Sequence, residues 1–540
     1  MFNTKKILFV IPPYFNIDDH LSAATSSIMP VFTIPYGVLS MEAYMRSKAN
    51  GELEIDLVDL NLKAYKILRE STNIASDLAD MVKDKVNLFH PDIVGISALF
   101  NTCYDYLALI SNAIKEMAQP PLIVIGGGLA TNLYRKILLD FPHIDAACYA
   151  EGEIPMTELV KATDYDNFLN KHPSWLTLES IHSGKLPVAT YVNNLDEIPM
   201  FNYNLIDLNN YNGRALDKRY SDKNSKRELS IHTSRGCPFN CVFCANGKVH
   251  GKNVRFMSVD RVINEVEMMI NHFVLTVLLI EDDHFLADKD RAIKILMKLR
   301  EYNIRIEFPN GIAVYAIDEV IGKLLKEAGA TTISLAVESG SDYVLKKIIN
   351  KPLKKSMIEN AVKILRQNGI IVHAFIVLGL PGEMDEHRLE TMKMIKEVGF
   401  DWVYFFITIP IAGSRLYDIC VDNNYLVNND FRNHIASKAN IKAPGVDPEK
   451  MEEMAYLLNL EANFVGNYNM IQGDYEKASY YFKNIVHKYP EHAFAHFYLA
   501  KTYEQLNQED AMVTKHMEKF NQLVEQNEVW QRYAKYFNLK

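Results

Sequence analysis

Arg235-Gly236-Cys237-Pro238-Phe239-Asn240-Cys241-Val242-Phe243-Cys244-Ala245 gathers three cysteines into one short stretch of a 540-residue chain. With three and then two residues between them, the thiolates can reach three corners of an iron-sulfur cubane from one tight loop. That loop is too short to reach a fourth ligand of its own, so one iron stays open. A structural zinc site wants four closed ligands on separate knuckles, and the flanking His232 and His250 lack the usual spacing. A disulfide scheme leaves one of the three thiols unpaired.

The pattern CxxxCxxC, with an aromatic residue (Phe243) just before the last cysteine, resembles the signature of the radical S-adenosylmethionine (radical SAM) enzymes. The resemblance implies a 4Fe-4S cluster held by Cys237, Cys241 and Cys244, with Phe243 beside the bound S-adenosyl-L-methionine. The open iron then chelates the amino and carboxylate groups of S-adenosyl-L-methionine. Reductive cleavage yields a 5'-deoxyadenosyl radical that abstracts hydrogen from an unactivated carbon. An electron donor protein such as flavodoxin or ferredoxin is implied as a partner.

The length allows about three domains. Hydrophobic residues make up 48% of the chain and charged ones 23%, so a large core is available in an ordinary soluble composition. A net charge of -9 gives no basic footprint for nucleic acid. Cys103, Cys148 and Cys420 sit in apolar surroundings and read as core thiols, which suits a reducing cytoplasm. The stretch 5–13 is too short for a signal segment and ends in Pro-Pro, so it reads as a buried strand. No apolar run approaches the length of a membrane span.

Upstream of the cysteine loop, short apolar runs at 7–11, 55–58, 93–97 and 122–125 alternate with amphipathic stretches, the rhythm of an α/β doubly wound parallel sheet. Ligands of such sheets lie beyond the carboxyl ends of the strands, where Ser97 to Thr102 and the Gly126-Gly127-Gly128 turn fall. The glycines equally suit a tight strand-to-helix turn. The order of Pro35-Tyr36-Gly37, Gly95-Ile96-Ser97, the glycine turn and Glu151-Gly152-Glu153 resembles the cobalamin-binding domain fused to many radical SAM enzymes. That resemblance implies cobalamin contacts from Tyr36, Gly37, Ser97, Thr102, Gly126, Gly127, Gly128, Glu151 and Gly152. The Asp-x-His-x-x-Gly loop of some cobalamin folds is absent, and Leu129 stands where relatives often carry histidine.

Downstream, strand candidates at 276–280, 304–308, 332–337, 372–378 and 403–409 alternate with helices, as in a partial (β/α)6 barrel with the cysteine loop after its first strand. Chemistry in barrels gathers at the carboxyl ends of strands. There the resemblance implies S-adenosyl-L-methionine contacts from Glu281, Asp282 and Asp283 (the ammonium), Glu338 and Ser339 (the ribose), and Gly379, Pro381 and Gly382 (the adenine). The carboxylates also suit helix capping, and the Gly-Pro-Gly run suits a simple turn. The segment 410–417 is expected to wall the substrate side, while His284 has no second metal ligand at a matching spacing. No catalytic residue is singled out.

The expected units are a cobalamin-binding-like domain at 1–165, a linker at 166–225 with a solvated charged loop at 218–227, a radical SAM core at 226–442, and a helical tail at 443–540. In the tail Gly466, Ala478, Phe482 and Pro490 fall at the offsets of a 34-residue repeat, with Ala500 one period after Gly466. This resembles tetratricopeptide repeats. The tail is expected to dock on the barrel and can offer helices to a protein partner. Together the resemblances imply cobalamin-dependent methylation of an unactivated carbon in a small-molecule or lipid-like substrate. The alternatives are a non-methylating radical cyclisation, rearrangement or oxidation, or a non-catalytic cobalamin or redox sensor.

Overall fold

The computed structural model describes residues 4–15, 32–49, 51–68, 70–211, 227–428, 430–434 and 438–539. The expected charged loop falls outside the described residues, except for Arg227.

Six strands form the first sheet: β1 (Lys5–Ile11), β2 (Leu53–Asp59), β3 (Ile93–Ser97), β4 (Leu122–Gly126), β5 (Ala146–Cys148) and β6 (Trp175–Leu176). Their order is β2-β1-β3-β4-β5-β6, parallel except for β6 against β5. β1 shows why the apolar runs are continuous. Leu8 and Val10 enter the core on one face, while Ile7, Phe9 and Ile11 enter the core on the other. A strand covered by helices on both faces needs both sets apolar. Because β2 lies outside β1, the order reverses between β1 and β3. That reversal opens a ligand crevice beyond the strand ends.

The second unit contains β7 (Glu228–Ile231), a ribbon of β8 (Ser234–Arg235) with β9 (Arg255–Phe256), and then β10 (Val277–Ile280), β11 (Arg305–Glu307), β12 (Thr332–Glu338), β13 (Ile371–Leu378) and β14 (Trp402–Ile407). Two parallel sheets, β11-β10-β7 and β12-β13-β14, are stitched by parallel bridges Ile306 to Ala330 and Ile312 to Leu335. The result is an open barrel of six parallel strands. Its helices start where the sequence supplies a cap. Ser258, Asp288 and Asp318 each accept the backbone N–H three residues on.

Helices Pro448–Leu460, Tyr475–Lys488, Ala493–Gln505, Asp510–Gln526 and Glu528–Tyr536 form the C-terminal region. They cover the open edge of the barrel, where a bare strand would leave backbone groups unpaired. Val403 of β14 donates its N–H to Asn463 Oδ1 at 2.8 Å, and Asn463 Nδ2 donates to the Val403 carbonyl at 2.7 Å. Trp402 stacks on Tyr481 with ring centroids 5.0 Å apart. No helix of the described residues is long and apolar enough to cross a membrane.

Candidate active site

The cysteine loop leaves the barrel through the β8–β9 ribbon. Gly236 has φ +99°, and a Cβ there would press on the Asn253 carbonyl at 2.6 Å, so the turn requires glycine. Gly236 N–H donates to Asp283 Oδ2 at 2.9 Å, and Cys237 N–H donates to the Gly251 carbonyl at 3.3 Å. Farther along, Val242 N–H donates to Ile349 O at 2.9 Å, and Val242 O accepts Leu416 N–H at 2.8 Å. The protein's own hydrogen bonds thus fix the loop at both ends.

A cavity of about 1290 Å³ lies between this loop and the first sheet. Cys237, Cys241 and Cys244 line one side. Pro12 and Tyr14 after β1, Ser97 and Leu99 at β3, and Gly126, Gly127 and Gly128 at β4 line the other. Tyr36, Gly37, Glu151 and Gly152 also face it. The space exceeds the roughly 300–1,000 Å³ of an ordinary small-molecule pocket, so it has room for a large planar ligand beside a second one.

The residues present fit both implied groups. Among the described residues no three His, Cys, Asp or Glu side chains close on a single metal ion; a cubane instead takes each thiolate on a separate iron. On the facing wall, a Cβ at Gly37 would meet nothing within 4 Å. Gly127, at φ +101°, lies so close to the Ala98 carbonyl that a side chain has no place. Bare backbone of this kind lets a broad ligand approach the strand ends closely.

The acidic run divides. Glu281 and Asp283 line the cavity. Glu281 accepts from the Ser230 hydroxyl at 2.9 Å, and Asp283 also takes the Asn246 amide. Asp282 turns into the protein, where it accepts the Thr233 N–H and the Thr233 and Ser234 hydroxyls, all at 2.6 Å. Burial pushes its pKa up to about 6 against those donors.

Other expected contacts are also turned elsewhere. Phe243 packs against the core. Glu338, at φ +67°, pairs with Lys351 at 2.9 Å. Ser339 is buried against the Thr391 hydroxyl at 3.1 Å. Gly379 N–H donates to Glu383 Oε2 at 2.6 Å, while Gly382 N–H donates to Pro444 O at 2.8 Å, so the turn holding Pro381 packs under the start of the tail. Thr102 donates to the Tyr14 carbonyl at 2.8 Å. None of these seven expected contacts, nor Asp282, is part of the cavity wall described above.

Sequence reasoning missed a buried ionic network at the seam. Arg255 donates to Glu151 Oε2 at 2.8 Å and Oε1 at 2.6 Å, and His250 Nδ1 is 2.8 Å from Oε1. Arg235 donates to Glu153 at 2.7 Å and to Ser40 Oγ at 2.9 Å, and Ser40 donates to Glu153 at 2.6 Å. Burial alone would raise the Glu151 pKa, but Arg235, Arg255 and His250 outweigh it and hold the carboxyl well below its usual range. The available signal was a pair of acids at 151 and 153 against arginines bracketing the cysteine loop. Asn310 also lines the cavity without having been anticipated, while Arg415 reaches it from the 410–417 segment expected to wall the substrate side.

A doubly wound sheet facing a thiol-bearing partial barrel across one cavity defines a cobalamin-binding radical SAM enzyme. The pattern of the radical SAM superfamily matches residues 231–395, and that of the B12 binding domain matches residues 32–160. The chain is therefore a radical SAM enzyme joined to a cobalamin-binding domain, with a 4Fe-4S cluster, S-adenosyl-L-methionine and cobalamin as its cofactors. An uncharacterized methyltransferase of Pyrococcus horikoshii is 29% identical over 432 residues, covering 79% of this chain and 86% of that protein. Cytidylyl-2-hydroxyethylphosphonate methyltransferase of Streptomyces wedmorensis is 27% identical over 417 residues, covering 72% and 77%. Among solved structures, the cobalamin-dependent S-adenosylmethionine radical enzyme OxsB aligns over 99% of this chain and 80% of that chain, with TM-score 0.65 and 14% identity.

Proposed function

We propose that this chain transfers a methyl group to an unactivated carbon of a small-molecule or lipid-like substrate. The observation that carries the reading is the single cavity onto which both the three thiols and the strand ends of the first sheet open. The cluster with S-adenosyl-L-methionine supplies a hydrogen-abstracting radical when bound, and cobalamin supplies the methyl group. The two similar proteins described above are both named as methyltransferases, which supports this choice.

In this reading Cys237, Cys241 and Cys244 hold the cluster. Glu281, braced by Ser230 and facing the cavity, accepts the ammonium of S-adenosyl-L-methionine. Asp283 holds the loop's first turn through Gly236 and Asn246. Tyr36, whose hydroxyl accepts His232 N–H at 3.1 Å, ties the cobalamin wall to the barrel. The work divides among units at 1–165, 226–442 and 443–540, joined through 166–225, and the tail helices with their repeat-like spacing give a partner surface. Electrons come from a small donor protein.

The test is incubation of the reconstituted protein with S-adenosyl-L-methionine labelled in its methyl group, a reductant and a panel of small-molecule and lipid extracts. Label transferred to carbon supports the reading. Release of 5'-deoxyadenosine with no transfer to any component sinks the methylation and leaves the radical chemistry standing.

A further inference from the structure

Glu151, Glu153, Arg235 and Arg255 are all at most 9% exposed, yet they sit at a seam between two folded units. Withdrawing four charges from water is an expensive way to make two surfaces adhere, and apolar side chains of similar size commonly do that task at least as well. What buried ion pairs can add is register, because fork-shaped guanidinium groups meet carboxylates in few orientations.

The anchoring points make register the relevant property. Arg235 is separated from Cys237 by one glycine, and Arg255 pairs with it across the β8–β9 ribbon. Arg255 also donates to the His250 carbonyl at 3.1 Å, in the segment whose Gly251 carbonyl receives Cys237 N–H. On the opposite side, Glu151 directly precedes Gly152 of the cavity wall. Ser40 lies one helical turn beyond Tyr36 and Gly37. Every member is therefore covalently close to a group that faces the cavity. A shift in the network moves the thiol loop relative to the first sheet.

We propose that this network is a positioning device that holds the cluster loop and the cobalamin-binding sheet in one register, with Glu151 as its central positioning residue. The inference rests on the reading of the cavity as the seat of both cofactors. Its consequence is a single fixed separation between cluster and cobalt.

The experiment uses the reconstituted full chain in four forms: wild type, Glu151→Gln, Glu151→Asp and Ser40→Ala. Iron and cobalt are quantified first. The reduced cluster and cob(II)alamin are both paramagnetic, so the magnetic coupling between them in frozen solution reports their separation. Wild type is expected to give one narrow coupling. Glu151→Gln, at matched iron and cobalt, is expected to lose it in favour of a broad distribution, and Glu151→Asp, which keeps the charge, to restore it in part. A network that merely adds stability would lower the melting temperature and leave the coupling narrow, and that result overturns the proposal. Should Glu151→Gln fail to fold, Ser40→Ala decides, since it removes one hydroxyl and leaves every charge. A broadened coupling in it supports the proposal and an unchanged one overturns it. Wild type that takes up iron but no cobalt overturns the cofactor reading itself, and the inference with it.

Discussion

Replacing Asp282 by alanine separates two roles that adjoining carboxylates could share. Its carboxylate accepts three donors at 2.6 Å, namely the Thr233 N–H and the hydroxyls of Thr233 and Ser234. Arg291 holds the same turn by donating to Thr233 O at 2.7 Å. In Asp282→Ala the two hydroxyls can rotate toward other acceptors, but the buried Thr233 N–H cannot. An orphaned buried donor costs about 1–3 kcal/mol, and each lost bond to a charged acceptor is of similar size. One full orphan and a part of the other two give a local loss of about 3 kcal/mol. That converts to roughly a hundredfold change in a local opening equilibrium. Hydrogen exchange at pH 7.5, where the carboxyl with its pKa of about 6 is ionised, reads this directly. Exchange at Thr233 should accelerate about a hundredfold while β2 and the tail helices keep their protection. Retained iron should fall as well, because Ser234 lies three residues before Cys237. Unchanged exchange at Thr233 together with lost binding of S-adenosyl-L-methionine would refute the reasoning and move Asp282 from the loop to the ligand.

Acid should loosen the tail. His492 is stacked on Phe464 at 4.8 Å, and burial pushes its pKa down to about 4. The folded value lies below the unfolded one, so the unfolded chain binds the extra proton between them. The contribution, at most about 3 kcal/mol, is complete above pH 6.5 and is lost as pH falls through about 4. Fluorescence of Trp530, whose ring is 5.1 Å from His492, should follow the loss. His492→Asn, which can keep the helix cap, should flatten the slope by about one proton. Two glycines of the cavity wall should respond in opposite ways. Gly127→Ala should cost about 1–3 kcal/mol, measured by thermal unfolding, because a positive φ and the Ala98 carbonyl oppose the side chain. Gly37→Ala should keep its stability within about 1 kcal/mol yet take up less cobalt, since its methyl projects into open space. Full cobalt uptake by Gly37→Ala would remove that residue from the cobalamin wall.

The parts legible in the sequence are those whose constraint is local. β1, β3 and β4 read clearly because burial on both faces makes each an unbroken apolar run. The thiol spacing reads clearly because a cubane dictates it within one loop. β5, with three residues, and β8 and β9, with two each, carry no run long enough to notice, and β8 and β9 are tied to the segment after β5 by ion pairs between residues far apart in sequence. The acidic run after β10 could have been read more finely. Side chains alternate in extended chain, so Glu281 and Asp283 share one side and Asp282 takes the other, as found. Glu338 and the 379–383 turn gave no such clue, because Lys351 and the Pro444 carbonyl that occupy them come from segments distant in the chain.

Two ligand-binding ends must face one another for one cavity to exist, and neither fold supplies that by itself. A switch point and a barrel mouth each form within a single unit. The residues that bring them together lie in the stretch with the weakest pattern. Val192 O accepts from Arg255 at 2.9 Å, Asp196 accepts Ser258 N–H at 2.8 Å, and Ile198 O accepts from Arg261 at 3.1 Å. The linker is thus stapled along β9 and the helix Val259–Phe273, on the same ribbon that carries Arg235 and Arg255 toward Glu153 and Glu151. A flexible tether would leave the two ends facing each other only part of the time. Hydrogen bonds to the 192–198 stretch, added to a buried ionic seam, make the facing arrangement a property of the folded chain before any cofactor binds.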